Sequence, residues 1–488
     1  MNQSTVMPNW LRQRAFLTPN RVAIFFENKK ITFHELDQLA TKRAKQLGSL
    51  GIVENDVVGL MMRNSLEMVV TIHALHYIGA TIVLFNTRLT FKELTWQLND
   101  AKVKVMICDD EFVQIVDHSF HTICTSEFIR LEETELNFRT QIHLNDVATI
   151  MYTSGTTGNP KGVQQTFGNH WSSAIGSMLN LGLHEQDLWL CSVPIFHISG
   201  FSILMRSIIY GIGVHLHSSF NPSRINDAII NEGITIVSVV STMLQQILQD
   251  LGEKNYPNTF RCMLLGGGPA PKSLLLACKE KNIPVFQTYG MTETASQVVT
   301  LSPEDCFSKI GSAGKPLFPV QIKIMSNGKE CAPYQEGEIT IKGPNVTIGY
   351  LNRPDATDEA IKDGWLYTGD IGYLDEEGFL YVLDRRSDLI VSGGENIYPA
   401  EIEAVLLSHE AIVEAGVVGK KDERWGQVPH AFIVCQRKVS EAELFDFCQQ
   451  RLAKYKVPKG FTFVSELPKN ASNKLLRRKL KEKLDELC

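Results

Sequence analysis

This 488-residue sequence has no excess of positive charge, since its formal net charge at neutral pH is −6. Nucleic acid is therefore disfavoured as the main partner, although a local basic patch could still gather an anionic substrate. None of the ten cysteines stands in a Cys-x-x-Cys spacing. Neither a zinc knuckle nor a disulfide scaffold is indicated, and a reducing cytoplasm fits best. The opening residues lack a basic region followed by an apolar core, which argues against a secretory signal. One long stretch, 68–85, has no Lys, Arg, Asp or Glu, but His73, His76 and Gly79 interrupt it. It reads as a buried helix over 65–78, stopped by Gly79 and followed by a strand over 81–85, with no membrane insertion. There is no internal repeat or low-complexity segment.

What is present is the composition of an ordinary globular chain, 44% hydrophobic and 21% charged, at a length that calls for at least two domains. Its most chemically loaded stretch is Thr153-Ser154-Gly155-Thr156-Thr157-Gly158-Asn159-Pro160-Lys161-Gly162, behind the apolar lead-in 147–152. Glycines let backbone N–H groups turn toward an anion, hydroxyls add donors, and Lys161 brings a compact positive charge. The pattern predicts a strand running into a phosphate loop. It is not a Walker A loop, because Pro160 precedes the lysine and Gly162 follows it.

Around that loop the chain alternates between strand-like and helical patterns. A hairpin is expected over 21–33, then a helix from the N-cap Thr32 through Leu50 with Glu35 completing a capping box. Strands over 57–61 and 103–107 and a helix over 91–100 follow, and the alternation resumes over 187–301. This is the signature of helix-covered parallel sheets. Ligands in such sheets lie beyond the carboxyl ends of strands, where Pro194-Ile195-Phe196-His197-Ile198-Ser199-Gly200, Gly266-Gly267-Gly268 and Thr288-Tyr289-Gly290 are expected. His73 and His76, one helical turn apart, read as packed histidines, and His215 and His217 as same-face strand residues that mimic half a metal site. Short strands with turn signals over 320–350 and a hairpin over 372–382 predict a small β subdomain. The charged run 384–388 reads as a hinge, and a small α+β domain with a helix over 399–408, another over 441–453 and a basic tail follows. The expected domains are 1–386 and 387–488.

The loop 153–162 resembles the signature of the adenylate-forming acyl-CoA synthetases. Gln287 to Glu293, Tyr367-Thr368-Gly369-Asp370, Asp384 to Asp388 and Asn470 to Arg478 are similar to further motifs of that family, in the same order. The resemblance covers essentially the whole chain. It implies an α/β fold with additional β structure and a mobile C-terminal domain. It also implies ATP, magnesium and coenzyme A as cofactor and co-substrates, with a small carboxylic acid as the partner molecule.

By the same resemblance, ATP or AMP is held by Thr153, Ser154, Gly155, Thr156, Thr157, Gly158, Lys161, Gly267, Gly268, Thr288, Tyr289, Gly290, Met291, Thr292, Asp370 and Arg385. Asp370 takes the ribose hydroxyls, Tyr289 stacks on adenine, Arg385 adds a ribose contact, Thr292 touches the α-phosphate and Glu293 helps hold magnesium. Lys474, which bridges carboxylate and phosphate oxygens, is the implied catalytic lysine, Thr292 and His197 are the further implied catalytic residues, and Asn473 stands where the family often has Gly. Ser387 is the implied hinge. His197, Gly268, Ser296 and Gln297 are assigned to the acyl pocket, and Gly393 with Gly394 to the coenzyme A channel. The residues 8–19, 194–200 and 389–399 further resemble a compact branch acting on a dianionic aromatic acid, whose second charge calls for polar or basic groups deep in the pocket. A ligase for a fatty or aryl acid, a luciferase-like oxygenase and a non-catalytic adenylate-binding protein are the alternatives. Oligomeric state is not readable, though a homo-oligomer is compatible with the sequence.

Overall fold

The computed structural model describes residues 5–153, 160–267, 272–384, 390–397, 399–468 and 477–487. The chain divides into two compact units. One comprises Met1–Thr87, Ala101–Met151 and Gly162–Leu383, the other Arg88–Asp100, Tyr152–Lys161 and Asp384–Cys488.

In the first unit local chemistry sets the elements. The helix Phe33–Ser49 starts at Thr32, whose hydroxyl accepts from the Glu35 N–H while the Glu35 carboxylate accepts from the Thr32 N–H. The charge-free stretch forms the helix Leu66–Ile78, which is apolar on all sides and almost wholly buried. Ser65 caps its start and Gly79, at φ 86°, ends it in the left-handed region. Among the described residues no helix is long and apolar enough to cross a membrane.

Two large sheets carry this unit. One runs in the order Gly349–Tyr350, Lys161–Thr166, Val147–Thr153, Thr81–Leu84, Val57–Met61, Val105–Cys108, Thr122–Cys124. The other runs Lys315–Pro316, Ser296–Thr300, Val285–Met291, Cys262–Gly266, Ile236–Val240, Leu188–Cys191, Gly213–Leu216, Val22–Phe26, Lys29–Thr32. Their middle strands pair in parallel. Ile24, Leu60, Leu84, Trp189 and Val214 from the strands and Ile72 and Phe201 from helices join one buried cluster. A third sheet, built on Gln321–Ser326, Gly337–Lys342 and Trp365–Leu374, is the expected β subdomain.

One expectation needs correction. Thr288-Tyr289-Gly290 does not follow a strand but lies inside Val285–Met291. The strand pairs in parallel with Cys262–Gly266 up to Gln287, then antiparallel with Ser296–Thr300 from Thr288 onward, so its pairing continues past the point where the parallel ladder stops.

In the second unit Ile412–Asp422 and Gly426–Cys435 form a long antiparallel pair, and Pro399–Leu407 and Glu441–Gln449 are helices. Within the basic tail, Arg477–Leu487 is a helix whose Leu480 and Leu484 pack with Val418 and Phe432. Lys456 is buried in this unit, with its ammonium 2.7 Å from Glu401 Oε1 and 3.1 Å from Glu93 Oε1.

Candidate active site

The switch from parallel to antiparallel pairing puts four predicted residues in a row. Thr288 donates to the Val299 carbonyl at 2.9 Å and lies 2.8 Å from the Thr300 hydroxyl. Tyr289 is buried, and its hydroxyl donates to the Asp370 carboxylate at 2.7 Å. Asp370 sits inside the strand Trp365–Leu374, so two residues far apart in sequence meet through sheet packing. At Gly290 a Cβ would lie 2.0 Å from the Ser296 carbonyl oxygen, and a backbone atom cannot yield, so only glycine fits.

Met291 leads into the short 3-10 turn Thr292–Thr294. Each carbonyl of the turn has its own donor. Thr292 O accepts from Gln165 Nε2 at 2.6 Å, Glu293 O from the Thr347 N–H at 2.7 Å, and Thr294 O from Asn345 Nδ2 at 3.0 Å. The Glu293 side chain accepts from the Tyr350 hydroxyl at 3.0 Å. Among the described residues no three His, Cys, Asp or Glu side chains converge as a metal-holding group. A single carboxylate suits magnesium, which takes most of its ligands from phosphate oxygens and water, so these residues fit a metal that arrives with a nucleotide.

The helix Ile198–Tyr210 follows His197, which is half-buried with its ring 4.7 Å from that of Phe196. Ser296 holds a strained φ of 102°, and such backbone strain clusters at functional positions. Gln297 is buried and donates to Thr300 Oγ1 at 3.0 Å, while its Oε1 has no partner among the described residues.

Sequence reasoning missed Arg206. The residue is only 2% exposed, and its guanidinium donates from Nη2 to Ser296 Oγ at 3.3 Å and lies over the Trp189 ring at 5.2 Å. Nε is buried without a hydrogen-bond partner among the described residues. Burial lowers its pKa from the usual guanidinium value, yet so basic a group keeps its proton. The available signal was a single charge inside the otherwise apolar and hydroxylic helix Ile198–Tyr210.

Of the other predicted residues, Gly267 follows the strand Cys262–Gly266, and Gly393 and Gly394 form the turn between Ile390–Ser392 and Glu395–Ile397. In the second unit Thr153 Oγ1 lies 3.5 Å from the carbonyl of Lys161. Ser154, Gly155, Thr156, Thr157, Gly158, Gly268, Arg385, Ser387 and Lys474 lie outside the described residues. The two histidine pairs differ in their contacts, and His76 Nε2 is buried with no hydrogen-bond partner among the described residues. His73 and His76 are buried with ring centroids 6.2 Å apart, whereas His217 Nε2 lies 3.1 Å from His215 Nδ1 and His215 Nε2 2.8 Å from Glu232.

A tyrosine-anchored carboxylate, a half-buried glutamate on a tightly held turn and a mixed α/β scaffold suit a nucleotide-activating enzyme. The AMP-binding enzyme family matches residues 11–351 and the AMP-binding enzyme C-terminal domain matches 401–474. The chain belongs to this family. A 2-succinylbenzoate–CoA ligase of Geobacillus sp. (strain WCH70) is 60% identical over 98% of each chain. A double mutant of o-succinylbenzoate CoA synthetase from Bacillus subtilis, bound with its product analogue OSB-NCoA, superposes with TM-score 0.95 at 51% identity, covering 98% of both chains. The same Bacillus subtilis enzyme in complex with ATP and magnesium ion matches with TM-score 0.77 at 51% identity, covering 98% of this chain and 100% of that one.

Proposed function

We propose that the chain joins coenzyme A to the aliphatic carboxylate of 2-succinylbenzoate through an acyl-adenylate, releasing pyrophosphate and AMP, as a step of menaquinone biosynthesis. The observation that carries this reading is the 60% identity, spread over 98% of both chains, with a ligase of that name. Arg206 supports it from the geometry. A buried guanidinium with a free Nε, touching an assigned acyl-pocket serine, suits a substrate with a second carboxylate.

The chemistry explains the residues. A carboxylic acid does not react with a thiol in neutral water because hydroxide would have to leave. Attack of the carboxylate on the α-phosphate of ATP expels pyrophosphate, and the thiol then displaces AMP, a far better leaving group. The first step brings anions together at a cost of roughly 4 kcal/mol per charge pair at about 4 Å and an effective dielectric near 20. Lys161 and Lys474 supply the offsetting positive charge in this reading, and Thr292 contacts the α-phosphate. Magnesium, held with the nucleotide by Glu293, adds Lewis-acid charge when bound. Asp370 takes the ribose hydroxyls with its carboxylate oriented by Tyr289, whose ring faces adenine, and Arg385 adds a ribose contact. His197, Ser296 and Gln297 line the acyl pocket, and Gly393 and Gly394 the path of the thiol. The segment 387–488 turns about Ser387 relative to 1–386 between the two half-reactions.

The test is pyrophosphate release from ATP and Mg²⁺ with 2-succinylbenzoate, benzoate and medium-chain fatty acids, each with and without coenzyme A. Selective turnover of 2-succinylbenzoate, with AMP and a thioester as products, is expected. Turnover of the simple acids instead would move the chain to another ligase specificity, and no acid-dependent pyrophosphate at all would make it a binding protein.

A further inference from the structure

A buried polar chain runs from the Thr292–Thr294 turn into the core of the first unit. Gln165, in the strand Lys161–Thr166, is fully buried, and so is Thr149 in Val147–Thr153. Gln165 Nε2 donates to the Thr292 carbonyl at 2.6 Å, and its Oε1 accepts from the Thr149 hydroxyl at 2.9 Å. Thr149 Oγ1 lies 3.0 Å from His170 Nε2.

Donor and acceptor inventory gives this chain one direction. A flipped Gln165 amide would set its oxygen against the Thr292 carbonyl, acceptor against acceptor at 2.6 Å, so the nitrogen must face Thr292. Its oxygen then requires the Thr149 proton. With that proton committed, Thr149 accepts from His170, whose ring carries its hydrogen on Nε2. His170 Nδ1 is buried with no partner among the described residues, which suits an unprotonated nitrogen and not an orphaned N–H. Burial pushes the His170 pKa down to about 3, in keeping with a neutral ring, and the ring packs 5.0 Å from that of Phe201.

We propose that Gln165 is a positioning residue for acyl-adenylate formation, fixing the Thr292–Glu293 peptide through the chain His170, Thr149, Gln165. The other two carbonyls of the turn are held by the buried Thr347 and Asn345, and the Thr292 carbonyl also takes the Ala295 N–H at 3.2 Å from within the turn, so Gln165 is the shorter contact at Thr292 and the one that joins it to Thr149 and His170. Buried networks of this kind rigidify when every member is satisfied. The proposal rests on the reading that Thr292 serves the α-phosphate and Glu293 the magnesium ion.

The experiment compares wild type with Gln165→Leu, Thr149→Val and Thr149→Ser in the two half-reactions, titrating Mg²⁺ in the first. For Gln165→Leu the rate of pyrophosphate formation should fall roughly tenfold or more, and the Mg²⁺ concentration for half-maximal rate should rise severalfold, as expected for a displaced catalytic group. Thioester formation from supplied acyl-adenylate and coenzyme A should stay within about twofold, because that step does not use the turn's magnesium contact. Thr149→Val should shift the Mg²⁺ midpoint in the same direction and Thr149→Ser, which keeps the hydroxyl, should restore it. A parallel loss of both half-reactions at an unchanged Mg²⁺ midpoint would reduce Gln165 to a structural role and overturn the proposal. If Gln165→Leu does not fold, equal midpoints for Thr149→Val and Thr149→Ser overturn it instead. Wild-type protein that releases no acid-dependent pyrophosphate would defeat the underlying functional reading, a different outcome from either.

Discussion

The hydroxyl of Tyr289 donates to the carboxylate of Asp370 at 2.7 Å, and both side chains are buried. The bond joins the strand Val285–Met291 to Trp365–Leu374 and orients a carboxylate that the proposed function assigns to the ribose hydroxyls. Tyr289→Phe keeps the ring and removes the donor. A hydrogen bond to a charged group is worth about 1.5 to 3 kcal/mol, so KM for ATP should rise about tenfold or more with little change in kcat. Steady-state kinetics at saturating acid check this, and an unaltered KM would detach Tyr289 from nucleotide binding.

Gly290 sets a harder constraint on the same strand. Because a Cβ there would meet the Ser296 carbonyl oxygen at 2.0 Å, Gly290→Ala must displace the Ser296 backbone. Loss of adenylation with folding retained, or loss of soluble folded protein, is expected. Near-normal activity together with an unchanged thermal midpoint would contradict the packing described here.

In the second unit the Lys456 ammonium is shared between the buried carboxylate of Glu401 and the largely buried one of Glu93. Burial opposes its charge, but Tyr455, Glu401 and Glu93 outweigh that and raise its pKa. Lys456→Met leaves Glu93 and Glu401 without their shared cation. Breaking a buried ion pair from one side costs about 3 to 5 kcal/mol, so the thermal midpoint should fall by several degrees. Adding Glu401→Gln to that variant should recover part of the loss. A midpoint that does not move would mean that water already screens the cluster.

Much of this was legible because it is local. The capping box of Thr32 and Glu35, the stop at Gly79 and the helix begun by Pro399 depend on neighbours within one turn. The motifs name candidate site residues for the same reason, since each is a short run with its own chemistry. The pairings between runs were not legible. Tyr289 with Asp370, Arg206 with Ser296 and Gln165 with Thr292 are set by sheet order and strand register, which no spacing along the chain encodes. The misplacement of Thr288 to Gly290 has the same origin, because a strand can continue on a new antiparallel partner after its parallel one ends. The basic tail concealed a helix because Leu480, Leu484 and Leu487 are spaced among many charged residues.

The buried histidines make a pH prediction. Burial pushes the pKa of His73 down to about 3, and burial with Arg206 does the same to His170. Unfolded histidine takes up a proton near pH 6.5, whereas these rings stay neutral in the folded chain. The unfolded state therefore binds more protons below pH 6.5, and stability falls as the pH drops from about 6.5 toward 3, by about 1.4 kcal/mol per pH unit for each ring. Carboxylates contribute chiefly below pH 5, so the window from 6.5 to 5 isolates the histidines. The thermal midpoint should drop across that window, and a flat profile would mean that the rings are accessible to protons in the fold.

The most direct measurement compares kcat/KM for 2-succinylbenzoate with that for the same acid lacking the ring carboxylate, in wild type and in Arg206→Met. Removing one partner of a desolvated charge pair costs about 2 to 5 kcal/mol, so wild type should prefer the dianion by a factor of about 30 or more. Arg206→Met should abolish that preference while leaving turnover of the monoanion largely intact. Equal use of both acids by wild type, or a preference that survives in Arg206→Met, would contradict recognition of a dianionic aromatic substrate through this buried guanidinium.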